Sequence, residues 1–139
     1  RDRKQAQLHL QLLQHRLLHG HRLLFFPEGT STDGRRVLPF KPTLFQSFLA
    51  PDLPDDLRIQ AITLAFNAPE GEDPRFYGWW GDSDLAQHLL QSLAYRRHGS
   101  VQVIYHEPVT ATDFADRKSL ARYLQVQVAA ALPWADTAS

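Results

Sequence analysis

Cysteine and methionine are both missing from the 139 residues. Without cysteine there are no disulfides, thiolate metal sites or thiol nucleophiles, and the redox compartment is left undetermined. The lack of methionine, in a chain that opens on Arg1-Asp2-Arg3-Lys4, leads us to expect a piece of a longer protein. Long apolar runs are missing too: the longest, Val128 to Ala135, has eight residues, far short of the roughly 18 a membrane-spanning helix needs. Net charge is zero, 15 basic against 15 acidic side chains, so no broad attraction to nucleic acid is expected. Seven glycines are too few and too scattered for a glycine-rich phosphate loop or a dinucleotide fingerprint. No serine sits in a G-x-S-x-G elbow, which disfavours a serine hydrolase.

What is present is ordinary for a globular domain, with 43% hydrophobic and 22% charged residues. Residues 1–139 read as a single domain, long enough to bury about two-thirds of its unfolded surface. Residues 5–18 carry Leu10, Leu13 and Leu17 at helical spacing, with Gly20 as a stop. Arg22 to Phe26 reads as a short buried strand ended by Pro27, which has no amide for a ladder. A turn-rich stretch, Glu28 to Arg36, precedes a short helix over Thr43 to Leu49. Arg58 to Phe66 reads as a strand and Val101 to Tyr105 as another. Between them lie the aromatic cluster Phe76 to Trp80 and a helix capped by Asp82 or Ser83, with Leu85, Leu89 and Leu93 on one stripe. A last helix, capped by Thr112 or Asp113, carries Leu120, Leu124, Val128 and Leu132 four apart. Strands alternating with helices predict an α/β fold with a mostly parallel sheet flanked by helices.

The segment Leu23-Leu24-Phe25-Phe26-Pro27-Glu28-Gly29-Thr30-Ser31 concentrates the chemistry. An apolar strand would deliver one carboxylate, one glycine and two hydroxyls to the sheet edge where ligands bind in α/β folds. Glycine allows close backbone approach, and successive amides can make an anion nest. Arg35, Arg36 and Lys41 follow and could neutralise a phosphate, the arginines as forks and the lysine as a point charge. A plain strand and turn, with Glu28 capping something local, is the competing reading.

Phe26-Pro27-Glu28-Gly29-Thr30 after an apolar strand, with Pro39-Phe40-Lys41 beyond, resembles the third signature block of the phospholipid/glycerol acyltransferase family. That family includes 1-acyl-glycerol-3-phosphate acyltransferases and lyso-ornithine-lipid acyltransferases. Ile59 to Phe66 is similar to a looser fourth block. Trp79-Trp80-Gly81-Asp82, His106-Glu107-Pro108-Val109 and Asp116-Arg117-Lys118 are similar to a bacterial subgroup. The resemblance implies transfer of a fatty acyl group from acyl-CoA or acyl-carrier protein to a lysolipid hydroxyl, with no other cofactor and no metal. Glu28, Gly29, Thr30 and Ser31 would hold the acceptor, helped by Arg35, Arg36 and Lys41. Arg1 or Arg3 stands where the family's second block ends in arginine. Ser31 departs from the pattern, since relatives commonly carry arginine after the threonine. The resemblance also implies a place at the cytoplasmic side of the inner membrane, reached peripherally or through segments outside this chain. A non-catalytic lipid- or partner-binding domain of the same fold is the alternative.

The family's first block, His-x-x-x-x-Asp, supplies the general base and the residue that orients it. None of the seven histidines begins it: His9, His15, His19, His21, His88, His98 and His106 are followed five places on by Gln14, Gly20, Leu24, Phe26, Leu93, Val103 and Ala111. The dyad is therefore expected upstream of Arg1, so residues 1–139 are expected to be the C-terminal part of a single glycerolipid acyltransferase domain with an incomplete sheet. The fragment alone is expected to be inert, with an apolar groove left open for lipid or for a second copy. His15 and His19 share a helix face, but His21 lies past Gly20 and no further ligand is evident, so a solvated face is expected rather than a metal site. Trp79 and Trp80 read as core caps, with a bilayer-interface role as the alternative.

Overall fold

The computed structural model describes residues 3–79 and 85–134. Helix α1 (Arg3–Leu18) ends as its sequence predicts. Gly20 takes φ +73, and the amide of His21 donates back to the Arg16 carbonyl at 3.0 Å while that of Gly20 reaches Leu17 at 2.9 Å. These paired bonds satisfy carbonyls the helix would leave open. Strands β1 (Arg58–Ile59) and β2 (Ile62–Asn67), helix α2 (Leu85–Ala94), strands β3 (Ser100–Tyr105) and β4 (Val109–Thr110), and helix α3 (Arg117–Ala130) follow in order. Two 3₁₀ helices, Pro42–Leu49 and Ala111–Asp113, complete the described elements. The expected caps Asp82 and Ser83 lie outside the described residues, as do Trp80 and Gly81.

The sheet differs from the expectation. Both ladders among the described residues are antiparallel, β1 with β4 and β2 with β3. A mostly parallel sheet was expected because strands alternate with helices, but alternation implies parallel pairing only when the connection crosses to the far end of the sheet. Here Asn67, the last residue of β2, faces Ser100, the first of β3. The amide side chain of Asn67 also donates to the Ser100 hydroxyl at 3.3 Å. The connection thus returns to the end it left. The single strand expected over Arg58 to Phe66 is split at Gln60-Ala61, and each half pairs with a different partner. Arg22 to Phe26, expected as a strand, takes no regular secondary structure and joins no ladder among the described residues.

The core forms where α3 and the first 3₁₀ helix meet. Leu17, Phe45, Phe48, Ala61, Ala111, Leu120, Ala121 and Leu124 are buried together. Of the stripe legible in the sequence, Leu120, Leu124 and Val128 pack on the core, while Leu132 lies past the end of α3 at Ala130. The cap of α3 lies four residues beyond the first expected position. Asp116, not Thr112 or Asp113, accepts the amides of Lys118 and Ser119, each at 2.8 Å. Thr110 and Asp113 instead close a capping box on the short 3₁₀ turn before it. Thr63 is the polar exception in β2, fully buried. Its hydroxyl donates to the Val128 carbonyl at 3.2 Å. With its one proton used there, it accepts from Nε2 of His106 at 2.8 Å. This pair of bonds ties β2, the end of β3 and α3 together.

The other face of the β2–β3 hairpin is apolar as well. Leu64 sits opposite Val103 and Phe66 opposite Val101, and all four are exposed, as is Tyr105. An antiparallel sheet with one wet face alternates apolar and polar residues. This one has the composition of a sheet covered on both sides.

Phe45 is 1% exposed, and Phe45→Ala should destabilise the chain by about 3–5 kcal/mol through the cavity it leaves; urea unfolding followed by circular dichroism measures it. Bonds from the Ser119 and Lys118 amides hold the Asp116 carboxyl below the usual carboxylate range. A depressed folded-state value means stability that is complete above the unfolded value of about 3.9 and lost as pH falls through the folded one. Asp116→Asn should therefore flatten the acid limb of a stability-versus-pH curve below about pH 4 and leave its neutral limb unsloped.

Candidate functional site

The site is a loop whose two ends are pinned to one ring. Phe25 lies just before Pro27 and Phe40 just before Lys41. Both rings contact Phe45, with centroids 5.5 Å and 6.3 Å away. Between these anchors the amide of Lys41 donates to the Pro27 carbonyl at 2.9 Å, closing the loop at its base. Inside it, Phe26 to Gly29 make a turn in which the Gly29 amide donates to the Phe26 carbonyl at 3.2 Å. Proline suits the second position of such a turn. Gly29 has φ +68, and a Cβ there would collide with the end of the Lys41 side chain. Glycine is needed for the conformation, whereas the flexible lysine end could swing aside from a methyl group.

Glu28 spans the loop. Its Oε2 accepts the amide of Leu38 at 2.7 Å, so the carboxylate braces the far wall while Oε1 has no partner among the described residues. Thr30 and Ser31 are exposed at the tip. Thr32 Oγ1 accepts the Gly34 amide at 3.1 Å, and Asp33 Oδ1 accepts the Arg35 amide at 3.1 Å. Side-chain bonds of this kind stabilise turns that lack a ladder. Arg36 approaches Asp33 at 3.9 Å. Arg35 lies with its guanidinium 3.7 Å from the centroid of the Trp134 ring. Across residues 28–41 three cations face two carboxylates.

Three buttresses come from distant sequence. The Phe40 amide donates to Oε1 of Gln125 in α3 at 3.3 Å. Trp134 Nε1 donates to the Arg35 carbonyl at 2.7 Å. Gly78 lies so close to the Asp33 backbone that a Cβ could not be fitted there. Sequence reasoning did not single out Gln125 or Gly78, and it placed Trp134 only inside an apolar run. A glutamine on a helix flank carries no local sign of a partner 85 residues away.

Beside the loop lies a cleft of about 300 Å³. Leu24, Phe26, Ile62, Val103 and Tyr105 line it, and Pro27 and Glu28 sit on its wall. The structure thus lays the Lys41 side chain against the turn that carries Glu28 and Gly29, next to an apolar cleft. Arg35 and Arg36 stand on the same loop but are engaged with Trp134 and Asp33. Arg1 lies outside the described residues. His15 and His19 stack at 4.1 Å, and Nδ1 of His19 lies 2.7 Å from the His15 carbonyl. Among the described residues no three histidine, aspartate or glutamate side chains converge as a metal site would need, and no helix is long and apolar enough to cross a membrane. Trp79 is half-buried. The aromatic stretch around it packs on itself, with Phe76, Tyr77, Phe66 and Tyr95 in ring contact.

A closed turn carrying a carboxylate and a cation beside an apolar cleft is suited to holding the polar end of an amphiphile. Comparison with known proteins agrees on the class: residues 1–64 match the family model described as Acyltransferase. The chain is 49% identical over 128 residues to the lyso-ornithine lipid O-acyltransferase of Rhodobacter capsulatus, covering 92% of this chain and 46% of that protein. It is 35% identical over 130 residues to the protein of the same name in Brucella abortus, covering 86% and 48%. A third, from Pseudomonas aeruginosa, is 34% identical over 125 residues, covering 88% and 45%. The likeness to the acyltransferase family is thereby shown over most of the chain. The chain spans about half the length of these curated relatives. No solved structure gives a significant match.

Glu28→Ala should release the Leu38 amide and speed its hydrogen exchange about tenfold or more, since a charge-assisted bond is lost, while Glu28→Gln keeps an acceptor and most of the protection. Gly29→Ala should cost about 1–2 kcal/mol from the left-handed backbone alone, with further disturbance at Lys41. Amide exchange by NMR reads both.

Proposed function

We propose that this chain is the acceptor-holding part of an acyltransferase domain that moves a fatty acyl group from a thioester to a lysolipid hydroxyl. The observation that carries the reading is the braced Pro27–Lys41 loop opening beside the apolar cleft. The cleft would take aliphatic chain and the turn the polar head. The relatives named for lyso-ornithine lipid make that lipid the favoured acceptor over lysophosphatidate. The donor is acyl-CoA or acyl-carrier protein.

In the reaction the acceptor oxygen attacks the thioester carbonyl carbon. A C–O bond forms, the C–S bond breaks, and the hydroxyl proton passes through a general base to the leaving thiol. Donors must meet the oxyanion that develops. The base is a histidine of the rest of the domain, because no histidine of this chain stands five residues before an aspartate. The same remainder would cover the exposed outer face of the β2–β3 hairpin and the Arg22 to Phe26 segment. Alone, this chain is inactive, and its open apolar face favours pairing of two copies or adsorption to lipid. The whole enzyme works at the cytoplasmic face of the inner membrane, where a lysolipid acceptor resides.

The test is transfer of labelled acyl groups by the full-length protein in detergent, with acyl-CoA and acyl-carrier protein as donors and a panel of lysolipids. Transfer to lyso-ornithine lipid, reduced at least tenfold in kcat/KM by Glu28→Ala as the loop opens, is the expected result. Binding of lysolipid with no transfer from either donor would replace the enzyme by a lipid-binding domain of the same ancestry.

A further inference from the structure

We propose that Lys41 is the cation that receives the acceptor's carboxylate, and that this single charge selects an amino-acid lipid head over a phosphate ester. The inference rests on the acyltransferase reading above and concerns what the same turn recognises. Three cations lie on the loop, and the structure distinguishes them. The Arg35 guanidinium is stacked on the Trp134 ring, and the Arg35 carbonyl is held by the same indole. Arg36 is partly neutralised by Asp33. Lys41 pairs with no carboxylate among the described residues, and its backbone is fixed by the bond to Pro27. Its side chain runs along Gly29, where a Cβ would press on Cε and Cδ at 3.0 and 3.2 Å. The bare glycine therefore admits the ammonium to the turn that carries Glu28 and Thr30.

Charge matching then decides the ligand. A phosphate monoester carries roughly −1.5 to −2 at neutral pH and is best met by an arginine fork or several cations. This turn offers one compact ammonium beside the single carboxylate of Glu28, and the residue after Thr30 is the neutral Ser31. One ammonium matches one carboxylate. An ornithine joined to its lipid through an amide keeps a free carboxylate and a second amine, so it presents the single anion that Lys41 can neutralise.

The experiment is a chemical double-mutant cycle on the full-length protein. KM and kcat are measured for lyso-ornithine lipid, for its carboxyl methyl ester and for lysophosphatidate. The unmodified protein is compared with Lys41→Gln and Lys41→Arg, and circular dichroism verifies that each exposed-site variant is folded. Losing a charge-assisted bond should raise KM for lyso-ornithine lipid about tenfold or more with kcat nearly unchanged. Lys41→Arg should restore most of it. Esterification should raise KM of the unmodified protein by a similar factor and add nothing in Lys41→Gln, because both remove the same pair. Equal effects of Lys41→Gln on acid and ester, or preference of the unmodified protein for lysophosphatidate, would overturn the assignment while leaving acyl transfer intact. No transfer by the unmodified protein to any acceptor would overturn the acyltransferase reading and this inference with it.

Discussion

The Phe45 ring is the constraint on which the rest of the structure depends. It is nearly inaccessible to solvent and touches Phe25, Phe40 and Phe48. Phe25 and Phe40 stand at the two ends of the loop from Pro27 to Lys41, so one buried ring fixes the separation of both ends. Aromatic pairs add to the burial of apolar area, and the closing bond from Lys41 to Pro27 then forms between groups already held near each other. A loop of this length without such an anchor would pay the full entropy of closure.

The loop interior is built by polar groups acting at short range and by apolar packing acting at long range. Glu28 illustrates how one side chain can brace a loop and still present a free oxygen to a cleft. One carboxylate oxygen satisfies the Leu38 amide, which would otherwise be an unpaired donor on a partly buried turn. The other oxygen remains available on the wall of the cleft. Gln125 and Trp134 restrain the loop from the side of α3. The helix is therefore the frame against which the loop is set.

The outer face of the β2–β3 hairpin follows another logic. Its exposed Leu64, Phe66, Val101 and Val103 match the two-sided burial typical of a central sheet. The relatives are about twice as long as this chain, and that length provides enough polypeptide for a covering layer. The apolar cleft lies at the junction of this face with the loop, so a layer covering the sheet would also shape the wall of the proposed acceptor site.

Local chemistry was legible from the sequence alone. Gly20 ended α1 through a left-handed residue, and the stripe of Leu120, Leu124 and Val128 faced the core. The turn expected from Glu28 onward formed around Gly29, opening two residues earlier at Phe26. Each depends on the conformational preference of one residue or the period of one element, and both are written in neighbouring positions. Strand direction was not legible, because periodicity is the same in parallel and antiparallel ladders; the return of the chain from Asn67 to Ser100 decided it. The cap of α3 moved from Thr112 or Asp113 to Asp116 because three polar residues competed and packing of the helix selected one. Within the site, the sequence offered Arg35, Arg36 and Lys41 together as candidate cations, told apart only as forks and a point charge. Only tertiary structure separated them, by stacking Arg35 on a tryptophan 99 residues away and setting Lys41 against a glycine that leaves it room.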